Sequence, residues 1–222
     1  MTIKRFWDDP YLSKLATRIS AVDGPWVCLV ETIFFPFSGG QERDTGSIAG
    51  HEVLEVKTCG REIFYRLADG HGLEPGEPVE VRIDWPRRYR LMRLHFAAEL
   101  VLELVYHKLG AEKIGAHIAQ EKARIDFLWP ESISPLLAEI EAEVDGVVRE
   151  DREIRSAFSD VRNQRRYWEI PGLAKVPCGG THLRRTGEIG AIRLKRKNVG
   201  KGKERVEILL CDERNPAGAA AP

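Results

Sequence analysis

The chain has no surplus of charge. Its 34 Lys and Arg match 34 Asp and Glu, so the formal net charge of its 222 residues is zero. No global field therefore draws it to a polyanion or to an anionic membrane. Nor is there an apolar run near the roughly 18 residues that a membrane-spanning helix needs. The opening residues, Met1 to Trp7, hold no apolar stretch of signal-peptide type. Internal repeats are absent too. Cysteine is sparse: Cys28, Cys59, Cys178 and Cys211 are the full set of four. These absences predict a cytoplasmic protein with reduced thiols and no membrane partner. Cys28 and Cys59 fall in strand-like runs and read as small buried hydrophobes, and Cys211 reads the same way.

What is present fits one or two globular domains: 43% of residues are hydrophobic and 31% charged, enough for real cores. The first 90 residues read as short strands between turns. Trp26–Thr32, Thr45–His51, Glu52–Val56 and Pro78–Asp84 are β-branched or alternate with period two. Gly24-Pro25, Asp69–Gly72 and Glu74–Gly76 punctuate them. Such a pattern predicts a small β-barrel or sandwich. Trp85-Pro86 reads as the boundary, because proline cannot continue a central strand. From about Arg90 the apolar period becomes helical through Leu91, Leu94, Ala98, Val101, Leu102, Val105 and Leu109, and Gly110 stops it. Paired strands are expected at 116–119 and 123–127. A second helix is expected from a Ser134 cap through Ile140, Val144, Val147 and Val148, and two further strands at 188–194 and 205–210. The fold class is α+β. An N-terminal β-barrel domain spans 1–88, a two-layer α/β domain 89–212, and an Ala/Gly/Pro-rich flexible tail 213–222.

Charge is unevenly spread. Residues 94–150 hold five Lys and Arg against eleven Asp and Glu, whereas 151–210 hold fifteen against seven. The basic groups are Arg162, Arg165 and Arg166, and then Arg193, Lys195, Arg196, Lys197, Lys201, Lys203 and Arg205. Clusters of this kind suit phosphate contacts on a nucleic acid. Ordinary solvated surface charge fits them too, since strand alternation puts only some on one face.

The residues with most chemistry are Cys178-Gly179-Gly180-Thr181-His182. Thiolate and imidazole are both good ligands for a borderline-soft ion such as zinc, and the glycines let the backbone turn both toward one point. Two ligands do not fill a tetrahedral site. His95 and Glu99, at i and i+4 of the predicted helix, share a face and bring the donor count to four. Taken alone, that pair also fits a partly buried helix histidine beside a solvated carboxylate. A second cluster, Phe34–Gly46, runs through Ser38-Gly39-Gly40-Gln41 and Asp44-Thr45-Gly46. Its Gly-Gly turn can present backbone N–H groups to an oxyanion, and Gln41 can donate or hold a water. A plain hairpin with a glycine turn fits as well.

In combination these motifs carry a resemblance. Ser38-Gly39-Gly40-Gln41 before Asp44-Thr45-Gly46, then a histidine-bearing helix, then Pro177–His182 before Thr186-Gly187-Glu188-Ile189-Gly190 stand in the order found in one family. The chain resembles the editing domain of alanyl-tRNA synthetase and the freestanding alanyl-tRNA editing proteins called AlaX. Its second half resembles the domain shared with threonyl-tRNA synthetase. The likeness covers roughly residues 25–211. It implies hydrolysis, in trans, of the ester that joins Ser or Gly to the tRNA for alanine. One zinc per chain is implied, held by His95, Cys178 and His182, with Glu99 standing where the family has a second His and Ala98 where a small polar residue is common. Gln41 matches the family's Gly-Gly-Gln loop near the scissile ester. Thr181 is a candidate hydroxyl beside the metal, and Gly39 and Gly40 are candidates to orient the ester. The Glu99 departure leaves a second expectation open: a zinc-stabilised tRNA- or protein-binding module with impaired catalysis. No ATP-binding synthetase core is apparent in the sequence, so charging of tRNA is not expected.

Overall fold

The computed structural model describes residues 1–200 and 202–211. The tail expected at 213–222 and Lys201 lie outside them. Among the described residues strands dominate, with two α-helices, so the fold is mixed α+β. It divides into two compact units. One comprises Met1–Ser38 and Glu42–Tyr89; the other takes Gly39–Gln41 together with residues 90–211.

The first unit holds β1 (Ile3–Lys4), β2 (Lys14–Asp23), β3 (Trp26–Leu29), β4 (Glu31–Thr32), β5 (Gly46–Ile48), β6 (His51–Glu52), β7 (Glu55–Cys59), β8 (Glu62–Arg66) and β9 (Pro78–Ile83). Seven of them form one sheet in the order β6-β5-β9-β2-β3-β8-β7. The sheet's Ile19, Val27, Leu29, Ile63 and Val81 are buried in one cluster with Phe34 of the loop after β4. Each such side chain removed from water contributes roughly 1.5–3 kcal/mol. The run expected at 52–56 is broken at Val53, whose N–H turns to Gly46 O at 3.0 Å, so β6 and β7 are separate strands. A buried ion pair underlies the loop that follows β4. The Asp44 carboxylate takes Nε and Nη2 of Arg88 and accepts the Phe35 N–H at 2.6 Å, and Arg88 also donates to Pro10 O and Ile33 O. Gly46 is needed for space: a Cβ there would stand 2.0 Å from Arg82 O.

Helix α1 (Trp85–Leu109) begins five residues before the expected start. Pro86 sits in its first turn, where a missing N–H costs nothing, and the Asp84 carboxylate accepts the Arg87 N–H at 3.1 Å. The proline therefore starts the helix as well as ending the strand. At the far end, Gly110 has φ +63° and donates its N–H to Tyr106 O at 2.7 Å.

In the second unit, β10 (Glu112–Ile118), β11 (Ala123–Leu128), β15 (Ile192–Asn198) and β16 (Lys203–Leu210) form an antiparallel sheet, ordered β10-β11-β16-β15. A second sheet, β12 (Arg155–Asp160), β13 (Arg165–Ile170) and β14 (Ala174–Pro177), was not expected from the sequence. Helix α2 (Ser134–Glu150) buries Ile140 and Val144. Its N-cap position is Ile133, not Ser134; the Ser132 hydroxyl accepts the Ser134 N–H at 3.3 Å instead. Lys108 ties α1 to α2 through Glu139 and Glu143, at 2.7 and 2.6 Å. The strand expected from 188 starts later, at Ile192, because Thr186–Ile189 forms a 3-10 turn.

Candidate metal centre

The middle of α1 is buried on nearly every side, from Leu91 through Leu100, with Glu99 only partly covered. A helix in that setting carries polar side chains inward only where they have a use or a partner. Arg93 has one, donating to Ile189 O at 2.9 Å. His95, 3% exposed, faces the 178–182 segment.

That segment is placed by the unexpected sheet. The Cys178 N–H donates to Arg166 O at 3.0 Å, carrying the β13–β14 pairing one residue past the strand. The chain then crosses His95 so closely that a Cβ on Gly180 would stand 2.5 Å from His95 Cε1 and 3.0 Å from Gln41 Oε1. Gly180 is required for space. A Cβ on Gly179 would meet nothing within 4 Å.

One donor atom from each of His95, Cys178 and His182 lies within 4.8 Å of the other two. His95 Nε2 is 3.2 Å from Cys178 Sγ. The imidazole rings of His95 and His182 are 5.3 Å apart at their centres. His182 Nδ1 is 2.8 Å from the Ser156 hydroxyl, while its Nε2 is buried with no hydrogen-bond partner, as is His95 Nδ1. Glu99 stands at the edge of this group. Its Oε1 is 3.7 Å from His95 Nε2 and 3.8 Å from Cys178 Sγ, and its Oε2 accepts the indole N–H of Trp168 at 2.9 Å.

Burial sets the charge state of the cluster. Burial lowers the pKa of both imidazoles, for His182 well below the usual histidine value. Both are therefore neutral at pH 7, the form that ligates. Burial first, and then the Glu99 charge, push the Cys178 thiol up to about 12. A thiolate there needs a positive charge beside it. Two neutral imidazoles, one with its Nε2 buried and unpartnered, one sulfur and a carboxylate oxygen fit a zinc ion.

Gln41 is fully buried. Its Oε1 accepts the Thr181 N–H at 3.4 Å and its Nε2 donates to the Thr181 hydroxyl at 2.8 Å. A backbone N–H can only donate, so the orientation of the amide is decided. Each end of that amide makes a bond to Thr181, whose hydroxyl keeps its own proton to give. The loop carrying Gln41 is anchored on β10: Gly40 O accepts the Ile118 N–H at 2.7 Å. Gly40 has φ +87°, and a Cβ there would stand 2.6 Å from Ala116 O. Gly39 has φ +61° and open space around it.

The basic residues separate into different environments. Arg162 and Arg165 are exposed at the β12–β13 turn. Arg166 is 6% exposed, with its guanidinium over the Phe158 ring, so it is not part of the exposed charge its sequence neighbours form. Strand alternation is the reason, since Arg166 shares the buried face with Trp168. Arg193, Lys195 and Lys197 share the exposed face of β15, and Arg193 pairs with Glu141 at 3.2 Å. Arg196 points the other way, to Glu204. The Thr186–Gly190 motif binds the end of α2: the Thr186 hydroxyl donates to Val147 O at 2.7 Å, and a Cβ on Gly187 would stand 2.5 Å from Asp151 Oδ1. Sequence reasoning missed both Ser156 and Trp168. No motif marks either one.

Known proteins resemble this chain in sequence. Residues 169–207 match the model for the threonyl and alanyl tRNA synthetase second additional domain. The alanyl-tRNA editing protein AlaX-M of Pyrococcus horikoshii is 34% identical over 95% of this chain and 98% of its own length. The chain belongs to the alanyl-tRNA editing proteins. Family likeness extends to the AlaX-M of Saccharolobus solfataricus, 34% identical over 93% of this chain and 98% of that one. An alanine–tRNA ligase of Ignicoccus hospitalis is 34% identical over 94% of this chain, which spans only 26% of the ligase. Among the described residues, no helix is long and apolar enough to cross a membrane.

Proposed function

We propose that this editing protein is a trans-acting, metal-dependent aminoacyl-tRNA deacylase that hydrolyses Ser or Gly from the tRNA for alanine. The observation that carries the reading is the convergence of His95, Cys178 and His182 donor atoms within 4.8 Å, with His182 Nε2 buried and unpartnered. With it go the relatives named alanyl-tRNA editing protein AlaX-M. We assign one zinc per chain to these three residues, with Glu99 as the fourth ligand. A zinc so held would supply Lewis acidity to a water or carbonyl oxygen only by taking it as a further ligand beside the four protein donors.

The chain's own groups do the rest. Ester hydrolysis needs a placed water and donors aimed at the developing oxyanion. Thr181, held by Gln41 at both its N–H and its hydroxyl, has one proton left to donate to substrate or water. Gly39 and Gly40 present the turn against which the ester is oriented. Ser156 holds His182 by Nδ1 and so leaves Nε2 as the ligating nitrogen. Arg162, Arg165, Lys195 and Lys197 contact tRNA phosphates. The architecture assigned with this reading is a small N-terminal barrel before a two-layer editing domain.

Release of serine from Ser-charged alanine tRNA, with zinc measured on the same samples, tests it. One zinc per chain and tRNA-dependent release are expected, both lost in Cys178→Ala. Glu99 in place of a family His favours a second reading, a zinc-stabilised binding module. Zinc and tRNA binding without release of amino acid would select that reading.

A further inference from the structure

We propose that Trp168 is a positioning residue that makes Glu99 a workable metal ligand, so that Glu99 and Trp168 act as one unit in place of a helix histidine. This rests on the metal reading above.

Trp168 is fully buried, and its indole N–H can only donate. Its partner is Glu99 Oε2, at 2.9 Å. Without an acceptor this N–H would be a stranded buried donor, which is costly. The indole is also fixed edge-on against Phe96, with ring centres 5.0 Å apart, so it cannot swing to another partner cheaply. One carboxylate oxygen is thereby pinned. The other, Oε1, is left facing the site, at 3.7 Å from His95 Nε2 and 3.8 Å from Cys178 Sγ. Ligands about 2.0–2.3 Å from a tetrahedral ion stand roughly 3.3–3.8 Å from each other. The Glu99 oxygen already sits at that spacing from two of its three neighbours.

The residue types explain the pairing. An ionised carboxylate offers about four lone-pair sites on two oxygens, so it serves a metal and an N–H donor together. A neutral imidazole has a single acceptor nitrogen. At position 99 it would satisfy either the indole or the ion, never both. Glu99 is therefore the compatible ligand as long as Trp168 stands behind it, and the two substitutions are coupled.

Zinc affinity, read by competition with a chromophoric chelator, tests this on four full-length proteins: wild type, Trp168→Phe, Glu99→His and the double variant, each checked for fold by circular dichroism. Loss of an orienting partner typically weakens a metal site by about 10–100-fold. Trp168→Phe is expected to do so in the wild-type background. In the Glu99→His background the same change is expected to leave affinity unchanged or raise it, because it removes the competing donor. An equal loss in both backgrounds would make Trp168 a packing residue and overturn the proposal while leaving the metal reading intact. A wild type that binds no zinc would overturn both. Should Trp168→Phe not fold, the wild type suffices. Its Trp168 indole N–H resonance, identified by cross-relaxation with the Phe96 ring, is expected to shift when zinc is removed and return when it is restored. A resonance unmoved by zinc overturns the proposal.

Discussion

Two glycines side by side carry different burdens in this protein. A Cβ at position 180 collides with the His95 ring and the Gln41 amide, while one at 179 meets nothing. Gly180→Ala is therefore expected to displace a ligand and the residue that holds Thr181. Overpacking of this kind costs about 1–3 kcal/mol, and here it falls on the site. Metal content and deacylation should drop together, while Gly179→Ala keeps both near wild type. Full zinc occupancy in Gly180→Ala would refute the close approach. Asp44 shows the opposite case, a motif residue whose work is structural. Its carboxylate is buried at 1% exposure and paired with Arg88, which is wholly buried. Asp44→Ala leaves an uncompensated guanidinium inside, a change worth roughly 3–5 kcal/mol. Chemical denaturation should show a loss of that size. A change below about 1 kcal/mol would mean that water reaches the site.

The elements that carry the site differ in how plainly the sequence announces them. Helix α1 was legible because its apolar positions recur at helical spacing and Gly110 ends it. Its true start at Trp85 was not, because proline marks both the end of a strand and the first turn of a helix. The sheet β12-β13-β14 was not read at all. Its strands are short, and polar or charged residues such as Arg155, Asp160, Arg165 and Lys175 blur their alternation. Yet this sheet sets Cys178 in place and supplies Ser156 and Trp168. The four candidate donor positions were therefore visible as residues, whereas Ser156 and Trp168, which bond two of them, were hidden in an unread element. Strand β16 offers a test at this scale. Glu204 is 3% exposed, bonds Arg196 and accepts the Ile133 N–H at 3.3 Å, so it joins β15, β16 and the start of α2. The Arg196 guanidinium, chiefly, lowers its pKa below the usual glutamate value. A depressed carboxyl stabilises the fold above its unfolded pKa, about 4.3, and that stabilisation is lost as pH falls through the folded value. Thermal stability should therefore fall steeply below about pH 4. Glu204→Gln should cost roughly 1.5–3 kcal/mol at pH 7 and flatten the acid limb. An acid limb unchanged in that variant would place the linkage elsewhere.

For the whole molecule, zero net charge decides how tRNA must be held. A uniformly basic protein attracts polyanions from any direction; this one has to do so through a local surface. Much of its basic second half is already neutralised. Arg205 is bound to Asp126 at 2.6 Å, Arg196 to Glu204, and Arg193 to Glu141. Lys195 lies across from Glu207 in the sheet, although Lys122 already holds that carboxylate at 2.7 Å. Arg162 and Arg165 at one hairpin turn, and Lys195 and Lys197 on β15, are exposed, and that exposure makes them the candidates for phosphate contacts. About four contacts imply a slope of log affinity against log salt near −3, since each phosphate neutralised contributes roughly −0.7 to −0.9. Measured tRNA binding over a salt series should give that modest slope. The Lys195→Glu, Lys197→Glu variant should make it shallower by between about 1 and 2 and weaken binding at low salt. Zinc content should not change, because neither lysine touches the metal ligands. A slope near zero would mean that tRNA is recognised through its terminal nucleotide and ester alone. A slope near −8, which takes about nine to eleven contacts, would require the paired arginines to leave their carboxylates for phosphate. Mutating Asp126 to Asn should then strengthen binding by freeing Arg205, whereas under the four-contact account it leaves the salt slope as it was.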